Sequence, residues 1–537
     1  MKKRYFNLFK ILYFLIALMI LSVGCNDSYF DKQPLDAVSD GTFWQTENDA
    51  NLALTGCYHI IPQWGGEDFW TSRGLLFLDL AGGNGGEKER WPQILTDGTL
   101  NSSLWVIASY WNNSYKKIAS CNNFLDNIGK VKMDEARKAI MISEARSLRA
   151  YEFFNLAMYY GDVPLPKTTL KIEDANTISR SPKAEVWAFA EKELSESAAI
   201  LSAESAKGRI TKGAALAILG RLQMAEKKWS DAAVTYKKII DLGVYIIDPA
   251  YEQLFWEVKE DSKEMIMATQ YQIDVFPNVN LQFLFPTMSG GWHQYSPYNN
   301  LVKVYECTDG KTIDQSPLYD ANNPYNNRDP RLDATIFIPG RTMFKGQLYE
   351  SRPGFGSPDE FTLYNYSGYM IKKGCDQNFS GNLMNSGVNV PIIRYSEVLL
   401  SYLESMLESG AAIDQSLLDK SINLVRGRAE VHMPSVTETN KDNLRVILRR
   451  ERRVELAFEG PRLFDLLRWG IAAEELKGDF TGLKLTNDAA HYTTYPVDAD
   501  GYYKWEFKNF KKGVNELWPI PLGEMQVNKN LTQNPGY

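Results

Sequence analysis

A mostly α-helical fold is what this sequence predicts, and three observations predict it. Apolar residues recur at three-to-four spacing through most of the first half of the chain. One stretch, 211–242, places its small and large residues at the offsets of a helix–turn–helix repeat. From 248 to 391 the periodicity fades, and Gly, Pro, Asn, Tyr and Trp crowd together as in long ordered loops. A helical body interrupted by long aromatic loops satisfies all three.

The amino terminus carries an address. Met1-Lys2-Lys3-Arg4 is a basic start, and residues 11–23 hold no charge. That stretch is short for a bilayer span and suits the apolar core of a signal peptide. It ends in Leu21-Ser22-Val23-Gly24-Cys25, which has the pattern of a bacterial lipobox. The chemistry needs a thiol there, because diacylglycerol is attached to sulfur and cleavage leaves Cys25 first. Lipidation of Cys25 is therefore expected, with two or three acyl chains giving stable anchorage. Removal of residues 1–24 leaves 55 Lys and Arg against 66 Asp and Glu, a net charge of −11. Such a balance argues against nucleic-acid binding, which needs a basic surface. No later apolar run approaches a membrane span.

Helices are expected at 105–128, 134–160 and 181–201, with Gly161 as a stop and Pro164 and Pro166 barring continuation. In 211–242, Leu216, Leu219, Gly220, Trp229, Ala232 and Tyr236 fit a tetratricopeptide repeat, where Gly220 and Ala232 let two helices approach closely. One such unit cannot bury its own face, so neighbours must stack on it. Helices return at 392–408, 414–429 and 443–457. Cys57, Cys121, Cys307 and Cys375 fit no zinc spacing. They could form two disulfides in an exported protein, but Cys57 and Cys121 lie in helical runs and read better as buried thiols.

Chemical motifs are few. There is no HExxH, GxSxG or phosphate-binding glycine loop, and His59, His293, His432 and His491 are scattered. Gly82-Gly83-Asn84-Gly85-Gly86 lacks the order of a nucleotide loop and reads as a flexible turn. Asp498-Ala499-Asp500-Gly501 resembles a calcium loop, but with Gly501 sixth, Pro496 would be first and Phe507 twelfth, and neither is a ligand. Calcium is a remote alternative, and no cofactor is expected. The charged run 451–469 invites a two-carboxylate glycosidase reading. Its acids and arginines alternate at helical spacing, however, so Arg452 with Glu455, Arg462 with Asp465, and Asp465 with Arg468 are expected to pair in a structural ion network. Arg328, Asp329 and Arg331 are expected to tie loops to the scaffold in the same way. No catalytic residue is expected.

Several blocks, in order, resemble the SusD/RagB family of outer-membrane lipoproteins of Bacteroidota. They are Phe43-Trp44; Glu144-Ala145-Arg146 through Tyr151, continuing to Gly161-Asp162-Val163-Pro164; Asn327-Arg328-Asp329-Pro330-Arg331; Ile393-Arg394-Tyr395-Ser396-Glu397; Glu451 through Gly460 with Arg468-Trp469; and Leu517-Trp518-Pro519-Ile520-Pro521 with the ending Asn534-Pro535-Gly536-Tyr537. The resemblance implies about four tetratricopeptide-like helix pairs with loops over one side. It implies a signal peptide at 1–24, a polar leader at 25–40, a helical region at 41–245 and a carboxy-terminal region at 246–537, the last two forming one compact unit. It also implies a binding protein, not an enzyme, at the cell surface on the outer membrane. Its partner would be a SusC-type TonB-dependent barrel, to which it passes oligosaccharides. Peptide cargo with the same partnership, or a tetratricopeptide scaffold binding only proteins, are the alternatives.

Sugar rings stack their C–H faces on flat aromatics, while their hydroxyls need polar partners. Two loop clusters offer that mixture: Trp64, Trp70, Arg73, Asp79 and Trp91, and Trp292, His293, Gln294, Tyr295 and Tyr298. The family builds its ligand site from loops in about these two regions, so both are candidates by position.

Overall fold

The computed structural model describes residues 43–59, 67–362, 365–485 and 494–537, together with Phe6, Lys10 and Tyr13. Cys25, the leader segment, the rest of the signal segment, Trp64 and His491 lie outside the described residues.

The chain is mostly helical, as expected. The first helix, α1 (Glu47–Tyr58), starts at a capping box in which Thr46 and Asp49 satisfy each other's backbone donors. After α2 (Ser72–Asp79) come α3 (Trp105–Asn127) and α4 (Glu135–Tyr160). The Asp134 side chain caps α4, and Gly161 ends it at a φ of 76° that favours glycine. Then follow α5 (Lys183–Ile200), α6 (Lys212–Ala225), α7 (Trp229–Asp241), α8 (Tyr395–Glu408), α9 (Lys441–Glu455) and α10 (Pro461–Trp469).

Helix α1 packs on α3, and from α3 to α9 each helix packs on the next. Those eight helices make four consecutive pairs, the repeat architecture the sequence predicts. In the α6–α7 unit, a Cβ on Gly220 would lie 2.5 Å from the Tyr236 ring, so only glycine allows this approach. Among the described residues the main apolar core runs from Trp44 to Leu531 and joins this row to the later segments, with a small separate cluster of Tyr251, Val431 and Met433. Cys57, Cys121, Cys307 and Cys375 are all buried free thiols. Among the described residues no helix is long and apolar enough to cross a membrane.

Three local expectations are corrected. Residues 392–394 are not helical: they end a strand, Val390–Arg394, and α8 begins only at Tyr395. Residues 414–429 form two short helices, Gln415–Asp419 and Ile422–Arg426, instead of one. The glycine run 82–86 is no flexible turn. Every residue in it is buried, and it threads between α10 and the loops with Gly82 against Arg462 and Gly85 against the Ser296 carbonyl. The missing side chains admit backbone where nothing larger fits.

Strands are short and pair antiparallel in twos. We number the main ones β1 (Gly85–Glu87), β2 (Met265–Thr269), β3 (Tyr295–Pro297), β4 (Val390–Arg394), β5 (Lys477–Lys484) and β6 (Tyr502–Asn509). The pairs are β1–β3, β2–β4 and β5–β6.

Buried charge ties these parts together, though mostly through partners distant in sequence. Asp465 pairs with Arg468 at 2.7 Å, as the spacing predicts. Arg452 turns to Asp465 at 3.0 Å instead of Glu455, and Arg462 turns to Glu475 at 2.9 Å instead of Asp465. Glu455 is held by Arg428, Arg394 and Arg331 at 2.9–3.1 Å. Arg331 also holds Asp329 at 2.8 Å, and Arg328 donates to the carbonyls of Val302, Tyr305 and Pro324. These forks fix loop to helix, because an arginine left unpaired at such depth would be costly.

Candidate ligand-binding site

The β1–β3 ladder brings the two aromatic loop clusters together. Glu87 lies opposite Tyr295, and the Lys88 N–H donates to the Gln294 carbonyl at 3.1 Å. The Gln294 side chain then reaches Glu89 at 3.0 Å. Segments some two hundred residues apart therefore share one surface.

Trp292 is the exposed member of that surface, with 41% of its area open. The backbone places it there. Gly290 adopts a φ of 86°, and a Cβ on Gly291 would lie 2.0 Å from the Phe285 carbonyl oxygen. This tight turn presents Trp292 outward, while its ring edge packs at 90° on Phe283, centroids 5.0 Å apart. Phe283 in turn lies 5.5 Å from the Arg73 guanidinium, which also stands over Phe77 at 4.9 Å and Trp105 at 5.9 Å. Trp105, in the first turn of α3, meets half-buried Trp91 edge-on at 5.6 Å. Phe77, Phe283 and Trp105 thus surround one cation, with Trp292 packed on Phe283 and Trp91 on Trp105.

Two carboxylates grip that cation. Arg73 Nη1 lies 3.0 Å from Glu67 and Nη2 lies 3.1 Å from Glu87. Both acids are buried, and burial pushes each carboxyl up to about 7 against the pull of Arg73. The platform therefore mixes flat rings with fixed polar groups, the combination that sugar recognition requires.

The remaining candidates lie inside the protein and cannot touch a ligand on this surface. Asp79 is fully buried, receiving hydrogen bonds from Asn84 and from the Gly460 N–H. His293, also fully buried, holds Asp359 at 3.2 Å and stacks on Tyr366 at 4.1 Å. Tyr295 is buried in β3, and Tyr298 sits among Phe480 and Trp505 with its hydroxyl on Glu506. Trp70 donates its indole N–H to Glu152 and supports Lys117 on its ring. It borders a separate concavity of about 960 Å³ between the end of α1, the 203–211 loop and β2. Charged residues on its wall are paired: Lys207 with Asp261 at 2.9 Å, and Arg209 with Glu144 behind it at 3.4 Å.

Sequence reasoning missed Phe283, Trp105, Glu67 and Glu87. Trp105 was legible as a tryptophan opening a helix beside a loop. The acids gave no signal beyond lying near Arg73 and Trp91. Among the described residues no cluster of His, Cys, Asp and Glu could hold a metal ion.

A helical-repeat scaffold displaying an aromatic platform defines a binding protein. Comparison with known proteins makes the family plain: the chain belongs to the SusD family. The model of that family matches residues 252–537, and one described as starch-binding, associating with the outer membrane, matches residues 89–224. The fold is similar to a SusD-like carbohydrate-binding protein of Bacteroides fragilis at 33% identity and a TM-score of 0.86, covering 91% of this chain and all of that one. A laminarin-binding SusD-like protein is similar at 22% identity and a TM-score of 0.65, covering 92% of this chain and all of that one. A SusD-like protein of Formosa agariphila is 23% identical over 97% of this chain and 98% of its own length.

Proposed function

We propose that this protein is a cell-surface lipoprotein that captures oligosaccharides and passes them to a SusC-type TonB-dependent barrel in the outer membrane. One observation carries the reading: the β1–β3 ladder joins two distant loops, so that exposed Trp292 packs on Phe283 and half-buried Trp91 on Trp105, the two rings that stand over the Arg73 guanidinium. In this reading Trp292 and Trp91 stack on sugar rings, while exposed Glu89, held by the Gln294 amide, accepts hydrogen bonds from hydroxyls. Lipidation at Cys25 supplies the membrane attachment, since the acidic chain gains little from an anionic lipid surface. The glycan names of similar proteins support the ligand class.

The test has two arms. The full-length protein, solubilised from outer membranes, should co-purify with a large β-barrel protein, and the purified chain should retain oligosaccharides from a mixed panel. Retention of no sugar, or isolation free of any barrel, contradicts the corresponding half of the proposal.

One observation favours peptide cargo instead. Residues Met265 to Thr269 of β2 line the 960 Å³ concavity in succession, and a strand along a cleft can take up an extended peptide by pairing. Capture of peptides but not sugars by the panel would move the ligand there.

A further inference from the structure

The turn that carries Trp292 is held from outside its own segment, by the distant Asp359. Residues 287–289 make a single 3-10 turn, whose first N–H groups have no acceptor inside the turn. The Asp359 carboxylate takes both of them. Thr287 donates its N–H to Oδ1 at 2.6 Å, and Met288 donates to Oδ2 at 2.9 Å. The same Oδ1 lies 3.2 Å from His293 Nδ1, which must carry the proton because a carboxylate only accepts. One buried carboxylate therefore grips the loop at 287–288 and again at 293, with Trp292 between the two grips. His293 follows Trp292 directly, is fully buried, and adopts a φ of 46°, in the left-handed region. Its ring lies flat on Tyr366, 4.1 Å away and 7° from parallel. Burial works to raise the Asp359 carboxyl, yet the bonds from His293, Met288 and Thr287 hold it below its ordinary value. All three donors thus face an ionised group at neutral pH.

We infer that Asp359 and His293 are positioning residues for Trp292, locking its turn in the conformation that presents the ring to a ligand. The inference rests on the stacking reading above, in which Trp292 meets a sugar. Both residues are buried, so they act on a ligand only through Trp292. The Trp292 N–H donates to the Gln282 carbonyl at 2.7 Å, and its ring edge meets Phe283, which fixes the outgoing end of the turn. The incoming end, at 287–288, depends on Asp359. An aromatic ring that waits in its bound orientation loses less freedom on capture, and affinity gains accordingly. Asp359→Asn keeps the size of the side chain but removes an acceptor. Whichever way the amide turns, its NH2 meets the N–H of Thr287 or of Met288, and that donor is left without a partner.

The experiment is a double-mutant cycle on the intact mature chain, read by amide hydrogen exchange and by calorimetry with an oligosaccharide it retains. Asp359→Asn should raise exchange across 287–293 while α4 and α9 keep wild-type protection. It should weaken binding about 2- to 10-fold, within the range of coupling between neighbouring residues. In a Trp292→Ala background the same change should alter affinity by less than about twofold, whereas in Trp91→Ala its full effect should persist. His293→Asn keeps a residue tolerant of positive φ but removes the stack on Tyr366, and should behave alike. An equal loss with and without Trp292 would overturn the inference, as would exchange that is unchanged at the turn or raised over the whole molecule. Failure of both variants to fold would make the pair a support of the core and overturn it too. A loss from Trp292→Ala with none from Asp359→Asn sinks the positioning role alone. If Trp292→Ala costs no affinity, or no sugar binds, the stacking reading falls and the positioning role falls with it.

Discussion

Glu455 is completely buried among Arg331, Arg394 and Arg428. Burial alone would push its carboxyl up, yet Arg428, Arg394 and Arg331 hold it down at about 2. The sign of its effect on stability follows from that shift. Its contribution is complete above the ordinary value of 4.5 and is lost as the pH falls from there toward 2. Glu67, Glu87 and Glu152, each raised to about 7 chiefly by burial, act the opposite way, removing stability as the pH rises from 4.5 through 7. Glu455→Gln withdraws a shared anion from three buried guanidinium groups, which keep Asp329, Glu451, Glu264 and Glu459 as partners, and should cost about 1–3 kcal/mol. Denaturant unfolding at pH 7 measures it, and a loss within error of zero would show the network to be dispensable. The motif containing Glu455 stands out in the sequence, but its partners do not. Helical spacing nominated Arg452, whereas the true partners lie 27, 61 and 124 residues away. Only the tertiary fold holds that information.

At the scale of elements, the β1–β3 ladder decides whether a binding surface exists at all. Three residues from each strand suffice, because glycine at 85 and 86 lets β1 press against β3 and Trp505. A Cβ at Gly85 would lie 2.5 Å from the Ser296 carbonyl oxygen, a backbone atom with no rotamer to yield. Gly85→Ala should therefore destabilise the protein by about 1–3 kcal/mol and weaken glycan binding by splaying the two loop clusters. Melting and affinity measured together check this, and an unchanged pair of values would contradict it. The helices were legible in the sequence because each carries its own periodicity and caps, as Asp134 and Gly161 show for α4. The ladder was not. The run at 82–86 has the composition of a loose turn, and nothing local reveals that Ser296 and Arg462 press on it. The same limit explains His293, Tyr295 and Tyr298. They sit beside Trp292 in sequence, but the tight turn at Gly290 and Gly291 sends Trp292 outward while the strand that follows is covered on both faces.

At the scale of the molecule, one core links the four helix pairs to the loops that carry the platform, so the scaffold holds the site rigidly in place. The repeats bury their faces on one another, and the irregular segments gather the aromatic side chains at the β1–β3 seam. In the proposed reading such a surface binds its ligand by stacking on Trp292 and Trp91. The sequence indicated both the division of labour and the two loop regions; the identity of the contacting residues depended on burial, which composition does not encode. The account rests on Trp292 as the stacking residue. Calorimetric titration of the intact mature chain with an oligosaccharide it retains, compared with Trp292→Ala, tests that directly. The variant should melt with the wild type and lose about 1–3 kcal/mol of binding, judged by base stacking on aromatic residues, or roughly 5- to 150-fold in affinity. Equal affinity in both proteins would contradict the assignment.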